Sequence, residues 1–439
     1  MKTKRFLPSP FSLAILLTFV TFILAFWLTP NPKQDQSHWI SIFGFWEKGF
    51  WELLSFAMQM MLMLVLGNVL ALTPAFNRVI KYLLQFSRNT VSAVVLVSLV
   101  SLVLAYLNWG LSLILSALLA GRIGAQAKSL GQKLNYPLVG AAAYSGLVVW
   151  HGGLSGSAPL KVAEEGHFLF SEIGRISISE TILSTMNLWV IAATLVLIPL
   201  SFYLLARREK SYDFSRIHFD NGKQEAFKAE ESEKSGLEYY RWFSTIFALL
   251  MLVAVMIDFW QKASWSALNI NSINMILFAL SLLLYPNLQR FTRAVSQSIG
   301  NSTGIMLQFP LYAGIMGVMK YSGLTMVFTG FFIQISTPDT FPLWAMISAG
   351  IVNFFVPSGG GQWTVQGPVL VEAAQQLGVS IPKTIMALAY GDELTNMLQP
   401  FWALPLLGIT RLKAREILPY SALIMLVAFV IYGLALIIF

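Results

Sequence analysis

The chain reads as a series of long apolar runs separated by short polar stretches. Crossing a hydrocarbon core of about 30 Å takes about 20 helical residues. Nine runs meet that requirement, near 11–28, 50–72, 137–160, 180–205, 240–260, 270–286, 302–320, 384–408 and 418–438. Two further apolar pairs, 91–125 and 340–377, are each split by small and polar residues. They are expected to be re-entrant hairpins that enter and leave by the same face. The predicted fold class is all-α integral membrane, with about nine full crossings.

Four of these segments carry glycine, proline and polar residues inside apolar surroundings. The first hairpin turns at Asn108-Trp109-Gly110 and the second at Pro357-Ser358-Gly359-Gly360-Gly361-Gln362-Trp363. The 137–160 run is interrupted by Ser145-Gly146 and His151-Gly152-Gly153-Leu154-Ser155-Gly156-Ser157, and the 384–408 run by Gly391-Asp392-Glu393-Leu394-Thr395-Asn396 with Gln399-Pro400 after it. A backbone that leaves its helix inside lipid must find other hydrogen-bond partners, so such breaks survive only where protein buries them or a solute passes.

The breaks also repeat. At an offset of 249, Gln59, Val69, Gln85 and Ser87 fall on Gln308, Val318, Gln334 and Ser336; at 246, Ala143-Tyr144 and Pro159-Leu160 fall on Ala389-Tyr390 and Pro405-Leu406. The expected unit is a span, an interfacial helix, a hairpin and a broken span. Five crossings separate the hairpins, which makes the two units inverted, an arrangement that places a solute site near the midplane. The division is a first half over 1–205, a cytosolic linker over 206–241 rich in Lys, Glu and Ser, and a second half over 242–439.

Composition agrees. At 56% hydrophobic and 11% charged residues, with mean hydropathy +0.66, the chain cannot cover a soluble surface of this size with charge. The net charge of +8 is not a nucleic-acid signal. Of the 29 basic residues, 22 fall on loops that share the side of the amino terminus, so the positive-inside rule places that terminus in the cytoplasm and the carboxyl terminus outside. Met1-Lys2-Thr3-Lys4-Arg5 before the first run resembles a secretory signal but lacks a small-x-small cleavage site, and an uncleaved anchor is expected. The chain has no cysteine.

The candidate chemistry lies at tips and breaks. Glycines let backbone amides approach a ligand, and a helix starting there presents free NH groups and a positive dipole end suited to a carboxylate. The expected substrate-binding set is Asn108, Trp109, Gly110, His151, Gly152, Gly153, Ser155, Ser157, Ser358, Gly359, Gly360, Gly361, Gln362, Trp363, Thr395, Asn396 and Gln399. Asp392 and Glu393 are adjacent acids within a span, a costly placement that points to ion coupling, by proton or sodium. The absence of lysine and arginine at the tips and breaks suits a monoanion better than a dianion. Trp109 and Trp363 are expected to enclose a short acyl chain.

The run Phe355-Val356-Pro357-Ser358-Gly359-Gly360-Gly361-Gln362-Trp363, continuing to Gln366-Gly367-Pro368, and the run Gly391-Asp392-Glu393-Leu394-Thr395-Asn396-Met397-Leu398-Gln399-Pro400-Phe401-Trp402 resemble the bacterial short-chain fatty acid transporter family associated with acetoacetate and butyrate use. Together with the 151–157 segment, the resemblance covers essentially the whole chain. It is similar in turn to the ion-transporter superfamily of carboxylate carriers. That likeness implies a bacterial inner-membrane location, an elevator motion of a mobile domain against a scaffold, a homodimer, and sodium at the matching positions Asn108, Ser358, Thr395 and Asn396. The first tip departs from the serine-asparagine-threonine signature of the dicarboxylate members.

The expected function is gradient-driven import of small monocarboxylates such as acetoacetate or butyrate, with a sodium ion or proton and no other cofactor. A dicarboxylate or amino-acid-conjugate carrier is the alternative within transport. A lipid-modifying membrane enzyme would need clustered catalytic groups, whereas His38, His151, His167 and His218 are scattered. A channel would share the paired polar hairpins but could not accumulate solute.

Overall fold

The computed structural model describes residues 10–31, 36–163, 165–167, 169–208, 217, 236–262 and 270–439. The linker expected over 206–241 and the charged amino-terminal residues lie largely outside these. Among the described residues every regular element is a helix: α1 (Pro10–Leu28), α2 (His38–Glu52), α3 (Leu54–Ala71), α4 (Pro74–Leu84), α5 (Thr90–Leu107), α6 (Trp109–Ser129), α7 (Tyr136–Tyr144), α8 (Ser157–Val162), α9 (Phe170–Ile173), α10 (Thr185–Arg208), α11 (Arg241–Lys262), α12 (Ile270–Leu284), α13 (Leu288–Ser298), α14 (Thr303–Tyr321), α15 (Leu324–Gln334), α16 (Phe341–Asn353), α17 (Gly359–Leu377), α18 (Ile381–Asn396), α19 (Pro400–Thr410) and α20 (Ala414–Ile438), with short 3-10 turns between some of them.

Six stretches among the described residues are long and apolar enough to cross a membrane: His38–Leu70, Thr90–Leu107, Trp109–Ser129, Thr185–Arg208, Arg241–Gln261 and Ala414–Ile438. Two of them are α5 and α6, the pair read from sequence as one hairpin. The run expected at 270–286 forms α12, whose 15 residues rise only about 22 Å. Helix α2 was not among the sequence-predicted spans, because His38, Glu47, Lys48 and Glu52 break up its apolar pattern. It packs on α14 at a crossing of glycines: a Cβ on Gly49 would lie 2.5 Å from Cα of Gly317. Outward faces are apolar, with Trp260 on α11 87% exposed, as lipid contact requires.

The order of elements recurs. A long helix, an 11-residue helix, a helix pair and an interrupted helix appear as α3, α4, α5–α6 and α7–α8, and again as α14, α15, α16–α17 and α18–α19. The two interrupted elements lie against each other and run in opposite directions. Tyr136 Oη donates to the carbonyl of Thr410 at 2.9 Å, Tyr144 Oη to the carbonyls of Asn396 and Gln399 at 2.7 and 2.9 Å, and the His151 amide to Glu393 at 2.8 Å. As numbering rises on one element it falls on its partner, and the first interruption lies against the end of α18.

The first interruption lies where expected: α7 ends at Tyr144, a 3-10 turn spans Ser145–Val148, and helix resumes at Ser157. The second is displaced. Helix α18 runs unbroken for 16 residues through Gly391, Asp392, Glu393, Leu394, Thr395 and Asn396, and the chain opens only at Met397–Gln399. Gly391 does not break the helix but lets α16 come close, since a Cβ there would meet the carbonyl of Met346 and lie 2.9 Å from the amide of Gly350. The opening ends at Pro400, the first residue of α19, which has no amide hydrogen to lose.

The tips differ in detail too. Only Asn108 leaves helical geometry between α5 and α6 (φ −158°, ψ 123°), so Trp109 and Gly110 already belong to α6. The bend between α16 and α17 occupies residues 354–358, and Gly359, Gly360 and Gly361 form the first turn of α17.

Candidate functional site

The first interruption, α18 and the second tip converge on one buried locus, and the first tip packs against the first interruption. His151, in the first interruption, places Nδ1 against Oδ2 of Asp392 on α18, with the two side chains 0% and 1% exposed. Nε2 of His151 accepts from the amide of Ala158 at 3.1 Å, in the first turn of α8. An imidazole nitrogen that accepts carries no hydrogen, so the hydrogen resides on Nδ1 and is donated to Asp392. Next to it, Oε2 of Glu393 accepts from the amides of His151 and Gly152 at 2.8 and 3.3 Å. Glu393 thereby holds open backbone that has no helix to satisfy it. Oδ1 of Asp392 is buried and has no hydrogen-bond partner.

The second tip closes over this dyad. A Cβ on Gly359 would lie 2.7 Å from Cε1 of His151, 2.9 Å from Cη2 of Trp150 and 3.1 Å from Oδ2 of Asp392, so only glycine allows α17 to start this close. Gly360 faces Ser157, with 3.7 Å from an added Cβ to that of Ser157. Ser358 caps α17 by accepting from the Gly361 amide at 3.3 Å. Gln362 turns back into its own helix pair, donating to the carbonyl of Ala349 at 2.9 Å and to Gln366 at 2.8 Å. Trp363 is buried against Gly367 on its own helix.

The first tip meets the locus from another direction. Oδ1 of Asn108 accepts from the Leu111 amide at 3.0 Å, the Trp109 amide donates to Oγ of Ser155 at 3.1 Å, and the Leu154 amide donates to the carbonyl of Tyr106 at 2.7 Å. Gly153 lies under Tyr106, where a Cβ would be 2.6 Å from that carbonyl oxygen, and Gly110 faces Met63 of α3. Trp109 sits edge-on to Trp402 of α19, ring centroids 5.0 Å apart, and to Trp150 at 6.0 Å; Trp150 stacks on His151 at 4.6 Å. A wall of three indoles therefore leads from the first tip to the dyad.

Several organising residues escaped the sequence analysis. Asn353, at the end of α16, donates through Nδ2 to the carbonyl of Asp392, to Oγ1 of Thr395 and to Oδ1 of Asn396, at 2.7, 3.0 and 2.7 Å, and its carbonyl accepts from Gln399. Its signal was readable: one amide in the apolar run Ile351-Val352-Asn353-Phe354-Phe355. Asn187 of α10 donates to the carbonyl of Gly152 at 2.8 Å and accepts from Tyr390 at 3.0 Å. Ser101 of α5 accepts from the Gly146 amide at 2.9 Å and donates to the carbonyl of Ala143 at 2.8 Å. Trp150 is not marked by the sequence pattern, and Trp402 enters only as the last residue of the Gly391–Trp402 motif.

Sodium needs converging oxygens. Of the four positions that the resemblance implies, Thr395 and Asn396 offer their oxygens to the nitrogen of Asn353, a donor where the cation would sit, while those of Asn108 and Ser358 accept from helix amides. In this conformation the set does not fit a sodium ion.

Helices of spanning length, lipid-facing apolar surfaces and polar side chains buried between the helices define a polytopic helical membrane protein. Comparison with known proteins gives the particular family. The chain belongs to the short chain fatty acid transporter family, which matches residues 1–439. It is 34% identical over 439 residues to an Escherichia coli K12 protein described as a candidate short-chain fatty acid transporter, covering 99% of this chain and 97% of that one. A Haemophilus influenzae protein of the same description is 36% identical over 448 residues, covering 98% and 96%. Among solved structures, the Alcanivorax borkumensis YdaH transporter superposes with a TM-score of 0.44 at 16% identity, covering 97% of this chain and 98% of that one. The protein is thus a multi-pass membrane transporter and not an enzyme.

Proposed function

We propose that the protein is a secondary active transporter that imports short-chain fatty acids and related small monocarboxylates, acetoacetate and butyrate among them, across the bacterial inner membrane. The observation that carries this reading is the meeting of the first interruption, α18 and the start of α17 at the His151–Asp392 pair, with the first tip packed on Leu154 and Ser155 of the same interruption. The carboxylate is held at the start of α17, where the amides of Gly359 and Gly360 precede the first intrahelical bond. Its acyl tail lies along Trp150 toward Trp109 and Trp402, in place of the Trp109 and Trp363 pairing expected from sequence. No lysine or arginine stands at these tips and interruptions, which favours a monoanion over the dicarboxylate or amino-acid-conjugate alternative.

The antiparallel interrupted elements and the recurring element order support two inverted repeats, with α5–α6 and α16–α17 as their re-entrant hairpins, and an elevator movement of these parts against a scaffold. A homodimer with a cytoplasmic amino terminus and an external carboxyl terminus completes the proposal. The test is uptake of labelled butyrate into liposomes holding the purified protein, with unlabelled acetoacetate and succinate as competitors. Competition by acetoacetate and none by succinate is expected. Preferential competition by succinate, or no butyrate uptake under any imposed gradient, overturns the reading.

A further inference from the structure

We propose that Oδ1 of Asp392 carries the one proton that enters with each monocarboxylate. The inference rests on the carboxylate site proposed above and assigns its coupling ion to an atom. Asp392 is 1% exposed, one of its oxygens receives a hydrogen from His151, and the other meets nothing. A buried carboxylate with one bare oxygen is a costly state that calls for a proton or a ligand there.

The tautomer of His151 decides which oxygen takes the proton. Because the Ala158 amide donates to Nε2, the ring hydrogen lies on Nδ1 and fills Oδ2. Oδ1 is the open acceptor. Oδ2 of the same carboxyl group lies 3.1 Å from a Cβ added at Gly359, so the group borders the start of α17, where the first amides are offered to an anion. Two ionised carboxyl groups this close repel strongly, and a shared proton removes the conflict. The anion therefore binds with a proton held between its oxygen and Oδ1. When the anion leaves on the other side, the proton leaves with it, and no net charge moves in the cycle.

Among the described residues no lysine or arginine is buried. From α18 come Glu393, committed to two amides, and Tyr390; from α20 comes Tyr432, beside Glu393; from α7 comes Tyr144, bonded to the second interruption. Lys161 lies on α8, three residues beyond Ala158. Helix α16 and residues 359–371 of α17 carry no titratable side chain, and α10 presents Asn187.

The experiment uses the full chain in liposomes with labelled butyrate. In the wild type, the apparent affinity should fall tenfold for each pH unit of rise on the uptake side, as one co-bound proton requires. An imposed pH gradient should drive accumulation that a clamped membrane potential does not alter. Asp392→Asn, whose amide can donate without titrating, should lose accumulation under a pH gradient and show a pH-independent affinity in butyrate binding; Asp392→Glu should restore the pH slope. Continued gradient-driven accumulation by Asp392→Asn, or a wild-type affinity flat with pH while butyrate is transported, overturns the inference. If Asp392→Asn does not fold, the wild-type slope and the Asp392→Glu variant decide. A wild type that exchanges no butyrate at all refutes the substrate reading instead.

Discussion

The start of α17 can be tested with a single methyl group. In Gly359→Ala the new Cβ would stand 2.7 Å from Cε1 of His151 and 2.9 Å from Cη2 of Trp150, both well inside ordinary carbon contact. Neither ring can yield freely: His151 is fixed at both nitrogens, and Trp150 is buried between it and Trp109. Overpacking of this kind costs about 1–3 kcal/mol, which is about a 5- to 150-fold change in an equilibrium constant. Gly360→Ala is the control. Its Cβ would meet Ser157 at 3.7 and 3.9 Å, ordinary contact distances, and alanine there stiffens the unfolded chain, worth about 0.4–1 kcal/mol in favour of the fold. Thermal unfolding of the detergent-purified variants and butyrate uptake after reconstitution give the readouts. Gly359→Ala should melt lower and transport poorly, whereas Gly360→Ala should melt at or above the wild type. Equal behaviour of the two alanines, or a Gly359→Ala protein indistinguishable from wild type, would refute the close approach of α17 to the dyad.

Asn353→Ala removes the donor shared by the Asp392 carbonyl, Thr395 and Asn396; with about 1–3 kcal/mol for a buried group left unsatisfied, its melting temperature should drop more than that of Ser358→Ala, as differential scanning fluorimetry would show. Glu393→Gln keeps an oxygen for the amides of His151 and Gly152 and should retain gradient-driven uptake, while Glu393→Ala should lose folded protein, measured as monodisperse yield on size exclusion. Trp402→Ala opens the indole wall, so hexanoate should gain on butyrate as a competitor in uptake assays; unchanged relative potency would mean that the ring only packs.

Much of the fold was legible because lipid enforces a simple code. Apolar length predicts helices, so α10, α11, α14 and α20 lie within a few residues of their expected bounds. The code fails where protein, not lipid, is the solvent. Helix α2 carries four ionisable or imidazole side chains and reads as a loop, yet it is a helix packed on α14 through Gly49 and Gly317. Glycine itself is ambiguous in sequence for the same reason. The string Gly391-Asp392-Glu393 looks like a helix break, but Gly391 serves the crossing of α16 and α18, and the actual opening follows at Met397–Gln399. Local composition cannot distinguish a glycine that frees the backbone from one that admits a neighbouring helix.

The site was legible in its residues and not in its pairing. His151 and Asp392 were both candidates, but nothing in a separation of 241 positions says that they touch, or that Asp392 and Glu393 have separate tasks. The structure separates them by donor. Glu393 meets backbone amides, which cannot give up their hydrogens, and so it serves as a fixed tie. Asp392 meets an imidazole on one oxygen and has no hydrogen-bond partner on the other. On the proposed reading, substrate charge follows from the count of groups. With no basic side chain at the tips and interruptions and a single open carboxyl oxygen, one negative charge can be neutralised by one proton; a dianion would bury an uncompensated charge, at a cost of several kcal/mol. On the proposed reading, selection for monocarboxylates and coupling to one proton are the same physical fact, so a variant that adds a lysine beside Gly360 should relax both together, admitting succinate while flattening the pH dependence of uptake.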